Sequence, residues 1–274
     1  MFYDMHMHTH FSHDSKATPE GNCLSAIERG LLGIAFTDHA DMWYYKKRGT
    51  FENISLSVDA AKEMGEKFAG QLNVIRGVEV GDAYYDSMVT EELIYQIDPD
   101  VVIGSIHCLS YGGLSDAYSQ MDLSSSAISR DGLVGLMDRY FELVTEMADG
   151  QGFDILAHLT CPFRYINGKY GRGLTDEEFE KPIKTVLNTV IRRNIALEIN
   201  TSGIGTQMDG TMPSETVLRW YRELGGKLIT LGSDAHSADR VAIGFERARE
   251  MLLRNGFTQC AYYRDRMPVL YDIV

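Results

Sequence analysis

Histidine is the residue type that most clearly suggests chemistry in this sequence. The chain contains eight histidines, and almost every one comes at the end of a short apolar run that predicts a β-strand. Neutral imidazole is a preferred ligand of zinc and of other first-row transition metals. The eight positions are His6, His8, His10, His13, His39, His107, His158 and His236. Their placement predicts a metal site.

Six predicted strands end in residues that can bind metal. The first ends in Asp4-Met5-His6-Met7-His8-Thr9, and because residues i and i+2 of a strand share a face, His6 and His8 can hold one ion together. Barrels of alternating strands and helices take catalytic groups from the carboxyl ends of several strands. The other five ends are Thr37-Asp38-His39, Gly77-Val78-Glu79, Gly104-Ser105-Ile106-His107, Leu156-Ala157-His158 and Gly232-Ser233-Asp234-Ala235-His236.

The donors are more numerous than one ion requires. A lone histidine at a strand end is more often structural than a ligand, but six ends that each deliver His, Asp or Glu favour a shared site. A catalytic zinc usually takes about three protein ligands, whereas a carboxylate can bridge two ions that together activate a hydroxide. We therefore expect a multinuclear hydrolytic site.

Apolar runs alternate with amphipathic segments along the whole chain, which indicates parallel strands covered by helices. The predicted strands are Phe2–His6, Gly33–Thr37, Leu72–Val80, Val101–Ile106, Asp154–Ala157, Ile195–Ile199 and Leu228–Leu231. Six helices are predicted. The first is capped by Thr18, begins with Pro19 and ends near Gly30, and the third has an apolar face that runs from Leu133 to Met147. The others are Val58–Ala69, Asp176–Arg193, Ser214–Leu224 and Val241–Asn255.

This alternation predicts an α/β fold. Seven or eight strand–helix units in 274 residues favour one barrel domain over residues 1–274, with an open doubly wound sheet as the alternative. The longest segment without a predicted element is Cys108–Asp131, which is either a lid or binding loop or a mobile surface insertion.

Composition limits the partners and the location. A net charge of −13 argues against a basic surface that grips nucleic acid. The four cysteines are scattered without a CxxC pair, as expected for free thiols in a reducing compartment. The first motif follows Met1 too closely for a signal peptide, and no apolar run reaches the ~18 residues that span a bilayer. We expect a cytoplasmic protein that binds neither membrane nor nucleic acid.

The six motif segments resemble those of the PHP (polymerase and histidinol phosphatase) superfamily, in the family's order and over nearly the whole chain. The similarity is closest to the stand-alone histidinol-phosphate phosphatase branch. The resemblance implies a distorted, seven-stranded TIM-like (β/α) barrel and a centre of three divalent metal ions. Zinc, manganese and iron all fit the donor set.

The resemblance also implies how the donors are shared. One ion would be held by His6, His8, Glu79 and Asp234. Glu79 would bridge to a second ion that is completed by His107 and His158. The third ion would be held by His39, His236 and a residue after the first motif, which is Asp14 by its spacing or its neighbour His13 if the loop is shifted. His10 has no counterpart and is expected in a polar loop, and Asp38 is expected to orient a ligand rather than bind metal.

Three further segments resemble the phosphatase branch. Leu159-Thr160-Cys161-Pro162-Phe163-Arg164-Tyr165 is similar to the family segment whose arginine lies close to the substrate phosphate, so Arg164 is a candidate for bidentate phosphate binding, with an ordinary surface arginine as the alternative. Asn200, at another strand end, is a candidate for substrate contact. The C-terminal residues Tyr262–Val269 are expected to close the barrel.

The activity implied is hydrolysis of a small phosphomonoester, with L-histidinol phosphate of histidine biosynthesis as the leading substrate. A hydroxide that bridges the metals would attack phosphorus in line, with Glu79 and Asp234 holding the metals and Arg164 the phosphoryl oxygens. A metal-bound water or His236 would give a proton to the leaving alcohol. The alternatives are another PHP phosphoesterase, either nuclease-like or a phosphotyrosine phosphatase, an amidohydrolase-like C–N hydrolase, or a non-catalytic metal-binding relative.

Overall fold

The computed structural model describes residues 1–45, 49–150 and 152–274. The strands in these residues, numbered in chain order, are β1 (Tyr3–Met7), β2 (Gly33–Phe36), β3 (Asn73–Gly81), β4 (Val101–Ser105), β5 (Cys108–Tyr111), β6 (Leu114–Ala117), β7 (Ile155–Leu156), β8 (Ala196–Asn200), β9 (Ile229–Gly232), β10 (Gln259–Arg264) and β11 (Met267–Asp272). The seven strands predicted from apolar runs all form, with ends displaced by one residue at most.

Those seven strands form one parallel sheet in the order β1-β2-β3-β4-β7-β8-β9. The order follows the chain without the reversal that defines a doubly wound sheet. The first and last strands meet at their carboxyl ends, where the amide of Asp234 donates to the carbonyl of His6 at 2.7 Å and that of His8 to Ala235 at 2.9 Å. The sheet is therefore nearly closed into a barrel, and the predicted seven-stranded α/β barrel is confirmed.

Helices cover the outside of the barrel. Their bounds are Pro19–Glu28, Thr50–Lys67, Ser87–Ile97, Arg130–Gly150, Cys161–Phe163, Glu180–Arg192, Glu215–Glu223 and Phe245–Arg254, with a π-helical segment at Arg164–Lys169 and short 3-10 turns at Met42–Tyr44, Ala83–Tyr85, Asp176–Phe179 and Ala238–Arg240. Thr18 caps the first helix as predicted, because its hydroxyl accepts from the amide of Gly21 at 3.0 Å. None of the helices in the described residues is both long and apolar enough to cross a membrane.

Three helices differ from the sequence prediction. The helix predicted to begin at Val241 begins at Phe245. The helix predicted to begin at Val58 begins at Thr50. The helix Ser87–Ile97 was not predicted. Its apolar residues lie on both faces, since Leu93 is buried whereas Met88 and Tyr95 are exposed, so the sequence shows no clear amphipathic period.

A second, smaller core fills the barrel interior, separate from the apolar layer between strands and helices. It is formed by Met5, Ala35, Ile75, Val101, Ile103, Ile155, Ala157, Ala196 and Tyr263. Tyr263 comes from the C-terminal β10–β11 hairpin, and its hydroxyl donates to the carbonyl of Asp154 at 2.8 Å. The hairpin therefore covers the amino-terminal end of the barrel, as expected for the C-terminal segment, and leaves the opposite end for the site.

The segment Cys108–Asp131 contains the β5–β6 hairpin and continues across the carboxyl end of the barrel. Its carbonyls accept hydrogen bonds from the 164–172 region: the hydroxyl of Tyr170 donates to Met121 at 3.0 Å, and the guanidinium of Arg172 donates to Leu123 at 2.7 Å. Tyr118 is buried beside the strand ends. These bonds favour a fixed wall of the site over a loose surface insertion.

Candidate metal centre

The carboxyl ends of the parallel strands bring the predicted donors together on one side of the barrel. His6 lies in β1 and His8 directly follows it, and both imidazoles are fully buried. The register of β1 against β2 shifts between Asp4 and Met7, so the irregular end of the strand, rather than strict alternation, sets the directions of these side chains. Two donors at strand ends, His158 and Asp234, have positive φ angles of 23° and 50°. Such backbone is uncommon for residues other than glycine and is typical of sites where the surrounding structure holds a side chain in a required place.

Glu79 lies at the centre of the cluster, and its two carboxylate oxygens face different histidines. Oε2 is 3.3 Å from Nε2 of His6 and 3.6 Å from Nε2 of His8. Oε1 is 3.3 Å from Nε2 of His107 and 3.1 Å from Nε2 of His158. One buried carboxylate therefore connects two pairs of imidazoles, which is the geometry a bridging ligand requires.

Asp234 completes the group on the Oε2 side. Its Oδ1 is 3.2 Å from Nε2 of His8 and 3.8 Å from Nε2 of His6, and the two imidazole nitrogens are 3.2 Å apart. Donors at the ~2.0–2.1 Å typical of zinc–nitrogen bonds are separated by roughly 3.3 Å in a tetrahedral site. The spacing of these atoms therefore suits a cation between them.

A third group lies nearer the cavity mouth. Asp14 places Oδ1 3.6 Å from Nε2 of His39 and Oδ2 3.2 Å from Nε2 of His236. His13 lies beside it, with Nε2 3.9 Å from Oδ2 of Asp14, and the two side chains are similarly exposed, at 40% and 43%. Of the two candidates after the first motif, the geometry favours Asp14. His10 is exposed and lies outside the cluster, as expected.

The electrostatics of the donors fit a bound cation. Burial raises the pKa of Glu79 and Asp234, but neighbouring histidines, His6 foremost, outweigh it and hold both pKa values well below the usual range. Conversely, burial lowers the pKa of His6 and His39, but nearby carboxylates, Glu198 for His6 and Glu79 for His39, raise both well above the usual value. Without metal, protons on the imidazoles supply the positive charge, and metal ions displace such protons when they bind.

The hydrogen bonding of the site also fits a bound cation. Oε2 of Glu79 and Nδ1 of His39 are buried and only 2.8 Å apart, but their relative orientation is not that of a hydrogen bond, and neither atom has another hydrogen-bond partner among the residues that the structure describes. A buried polar atom without a partner is rare in folded proteins. His8 differs from its neighbours: burial and the charges of His39 and His236 lower its pKa to about 4, which keeps the ring neutral, as a ligand must be.

Two carboxylates behind the donors were not among the residues that the sequence singled out. Oε1 of Glu198 is 2.7 Å from Nδ1 of His6, and its Oε2 accepts from the amide of His158 at 2.7 Å. Oδ1 of Asp41 is 2.9 Å from Nδ1 of His107. Such carboxylate–histidine pairs fix the tautomer and the direction of a ligating ring. The available signals were weak: Glu198 shares a strand end with Asn200, and Asp41 follows His39 by two residues.

Asp38 supports the site from behind, as expected. Its carboxylate accepts from the hydroxyl of Ser12 at 2.6 Å and from the hydroxyl and amide of Thr9, each at 2.7 Å. The hydroxyl of Ser12 in turn lies 3.1 Å from Nδ1 of His8 and accepts from the amide of His39 at 3.1 Å. Asp38 therefore positions two of the donors through Ser12.

A cavity of about 440 Å³ opens over the cluster. Its walls include Tyr118 from the 108–131 segment, together with Arg164 and Tyr165. Both of the latter begin the π-helical segment, a rare conformation that is frequent at functional sites. Nη1 of Arg164 donates to the hydroxyl of Ser202 at 3.2 Å. Arg164 is therefore a cavity residue and not an ordinary surface arginine.

Asn200 occupies a different place from the one expected. It is fully buried, and its amide nitrogen contacts Oε2 of Glu198 at 3.2 Å and Oδ2 of Asp234 at 3.4 Å. Its Oδ1 accepts from the hydroxyl of Ser202 at 2.7 Å. The structure puts Asn200 behind the cavity wall, where it positions Asp234 and Ser202, and this geometry gives no support to direct contact with a substrate.

Comparison with known proteins identifies the family. The PHP domain family matches residues 4–202. A protein of Clostridium acetobutylicum named probable histidinol-phosphatase is 30% identical over 254 residues, covering 92% of each chain. A histidinol-phosphatase of Lactococcus lactis is 26% identical over 262 residues, covering 95% of this chain and 93% of the relative.

A solved structure shows the same fold. The crystal structure of histidinol phosphate phosphatase from Lactococcus lactis, complexed with Zn, L-histidinol and phosphate, superposes with a TM-score of 0.75 and covers 98% of each chain at 22% identity. At that level of identity the likeness concerns the architecture. Together with the family match over 4–202 and the relatives along nearly the full length, it shows that this chain belongs to the PHP domain family.

Proposed function

We propose that this protein is a metal-dependent phosphomonoesterase that hydrolyses L-histidinol phosphate to L-histidinol and phosphate. One observation carries the proposal: Glu79 directs its two oxygens at separate histidine pairs beneath a cavity that also contains Arg164. The donor cluster supports metal-assisted hydrolysis, and the guanidinium supports a phosphate ester as substrate. The relatives named histidinol-phosphatase, which match nearly end to end, support the identity of the alcohol.

The proposed site holds three divalent cations, with zinc, manganese or iron compatible with the donors. The ligand sets are His6, His8, Glu79 and Asp234 for the first, Glu79, His107 and His158 for the second, and Asp14, His39 and His236 for the third. When bound, such cations draw charge from the phosphoryl oxygens and lower the pKa of water. The donor–donor distances within these sets are 3.1 to 3.8 Å, and Nδ1 of His39 also lies 2.8 Å from Oε2 of Glu79, so the third set is in contact with the proposed bridging carboxylate.

The protein's own groups then bind and orient the ester. Arg164 binds terminal oxygens of the phosphate, because its guanidinium is planar and lies in the cavity wall. His236 acts as a ligand rather than as the proton donor that the sequence allowed. Its Nδ1–H donates to the carbonyl of Asp234 at 3.0 Å, and its Nε2 faces Asp14. With metal at Nε2, the one proton left on the ring is already held by that carbonyl and is not available to the leaving alcohol.

The cavity favours a small substrate. Its volume of about 440 Å³ is in the range that binds metabolites, and Tyr118 and Tyr165 form part of its wall. A net charge of −13 opposes binding of long polyanions. These features favour a phosphomonoester over an oligonucleotide.

The test is phosphate release from L-histidinol phosphate, measured with chelator-treated protein and again after addition of Zn²⁺, Mn²⁺ or Fe²⁺. We expect no turnover without metal, restoration by at least one of the three, and histidinol phosphate as the best substrate in a panel of metabolite phosphomonoesters. Full turnover by rigorously metal-free protein would refute the metal-dependent mechanism. Cleavage of short oligonucleotides faster than hydrolysis of histidinol phosphate would refute histidinol phosphate as the substrate.

A further inference from the structure

The cavity contains a second arginine, Arg240, that no motif of the sequence indicates. It follows His236 by four residues and lines the cavity together with Arg164. We propose that Arg240 is a second phosphate-binding residue, which takes a terminal oxygen of the substrate and makes the site selective for dianionic phosphomonoesters. This inference rests on the proposed function, since it names a further residue of the same site.

Arg240 and Arg164 are held by the same residue. Arg164 donates Nη1 to the hydroxyl of Ser202 at 3.2 Å, whereas Arg240 donates Nη2 to the backbone carbonyl of Ser202 at 3.0 Å. Nη2 of Arg240 also donates to the carbonyl of Ile204 at 3.2 Å. Two guanidinium groups from different strand-end loops are thus fixed around one serine at the cavity wall, and Ser202 itself contacts Oδ2 of Asp234 at 3.3 Å.

The contacts of Arg240 leave most of its donors available. A guanidinium has five N–H groups, and the two carbonyls engage only those of Nη2, so Nε and Nη1 retain three. Within the residues that the structure describes, no carboxylate lies within the 4.0 Å that defines an ion pair with Arg240. The side chain is half-buried. Its charge is therefore fixed in place, and the carboxylate of the adjacent Asp239 interacts with it electrostatically without forming an ion pair.

Gly205 lies beside the guanidinium of Arg240. It has a φ of +76°, which favours glycine, and a Cβ at that position would make ordinary van der Waals contact with Nη1 of Arg240, at 3.9 Å. The loop after β8 therefore approaches this guanidinium at Gly205 as well as at Ser202 and Ile204.

The number of phosphoryl oxygens explains why a second arginine is useful here. The proposed cations would offset the charge of the carboxylates Asp14, Asp41, Glu79 and Asp234, and the two arginines add donors for the oxygens of the ester. A phosphomonoester presents three terminal oxygens and two negative charges near neutral pH, whereas a diester presents two such oxygens and one charge. Arg164 can bind two oxygens in its bidentate mode, and Arg240 supplies donors for the third. The added guanidinium therefore favours the monoester.

The test measures inhibition by inorganic phosphate and the ratio of kcat/KM for p-nitrophenyl phosphate to that for bis(p-nitrophenyl) phosphate. Both are measured on metal-loaded protein, wild type and Arg240→Ala, Arg240→Lys and Arg29→Ala. Arg29 is the matched control, because its guanidinium also bonds to a carbonyl, that of Asp239 at 2.8 Å, but is exposed outside the cavity. Metal content and melting temperature are recorded for each variant.

We expect Arg240→Ala to weaken phosphate inhibition about tenfold to a hundredfold and to lower the monoester preference, at unchanged metal content. Arg240→Lys should recover part of the loss, since lysine keeps the charge but not the planar fork. Arg29→Ala should behave like wild type.

Two results would overturn the inference: phosphate inhibition of Arg240→Ala within twofold of wild type, or equal weakening in the Ala and Lys variants together with an equal fall in melting temperature. The second result would mean that Arg240 only anchors the Ser202–Ile204 loop. Inorganic phosphate has no leaving group, so it separates this inference from the proposed substrate. If histidinol phosphate is not hydrolysed while Arg240→Ala still weakens phosphate inhibition of p-nitrophenyl phosphate turnover, only the substrate is wrong.

Discussion

Glu198 offers the sharpest test of how the site is organised, because it is buried behind two proposed ligands and does not line the cavity over the cluster. One carboxylate oxygen lies 2.7 Å from Nδ1 of His6, and the other accepts from the amide of His158 at 2.7 Å. If Nε2 of His6 binds metal, the proton of the ring is on Nδ1, which donates a hydrogen bond to Glu198. The carboxylate thus aligns one imidazole and the strand end of another.

Glu198→Gln keeps the shape of the side chain and removes its charge. A glutamine has one oxygen, so it can accept from His6 or from the amide of His158, and its NH₂ group must face the other donor. A charge-assisted hydrogen bond contributes about 1.5–3 kcal/mol, and each ~1.4 kcal/mol corresponds to a factor of ten. Loss of one such bond should weaken metal binding about tenfold to a hundredfold, in line with other carboxylates that support ligating histidines.

The assay is competition for metal between the protein and a chelator of known affinity, followed by phosphate release at saturating metal. Glu215→Gln is the matched control, since Glu215 is an exposed carboxylate that bonds to Asn255 at 2.9 Å and to Arg254 at 3.1 Å, away from the site. A loss of metal affinity should also reduce the thermal stabilisation that added metal gives. If Glu198→Gln binds metal as tightly as Glu215→Gln, the proposed positioning role is wrong.

The remaining predictions concern the ligands and the phosphate. Glu79→Gln should lower the metal stoichiometry as well as the rate, because Glu79 faces two groups of histidines; wild-type metal content by elemental analysis would exclude bridging. Asp14→Ala should lose one ion per chain and His13→Ala none, and equal content in the two variants would contradict the choice of Asp14. Arg164→Ala should reduce kcat/KM about tenfold to a few hundredfold at unchanged metal content, with partial recovery in Arg164→Lys; unchanged kinetics would leave phosphate binding to other groups.

The strands and most of the donors could be predicted from the sequence because their signals are local. An apolar run that is covered on both faces predicts a buried parallel strand wherever it lies in the chain, and the seven strands form within one residue of their predicted ends. A donor that directly follows such a run must reach the carboxyl end of the barrel. That is why His39, Glu79 and His107 could be assigned to one site before any distance was known.

The pairing of the donors depended on contacts between distant parts of the chain. Asp14 and His13 are neighbours in sequence, and only the approach of His39 and His236 shows which of the two lies between the imidazoles. Glu198 reaches His6 across 192 residues. No spacing rule links such positions, because barrel closure brings the strands together and the loops set the final side-chain directions.

The sequence by itself determined the barrel and the set of side chains proposed to bind metal, since strand periodicity and donor chemistry are properties of short segments. Only the tertiary structure decided that Asn200 supports the wall and that Arg240 enters the cavity. Both outcomes depend on the loop after β8, where the carbonyls of Ser202 and Ile204 hold the Arg240 guanidinium. A loop conformation of this kind arises from many long-range contacts, and so it leaves no periodic pattern in the sequence.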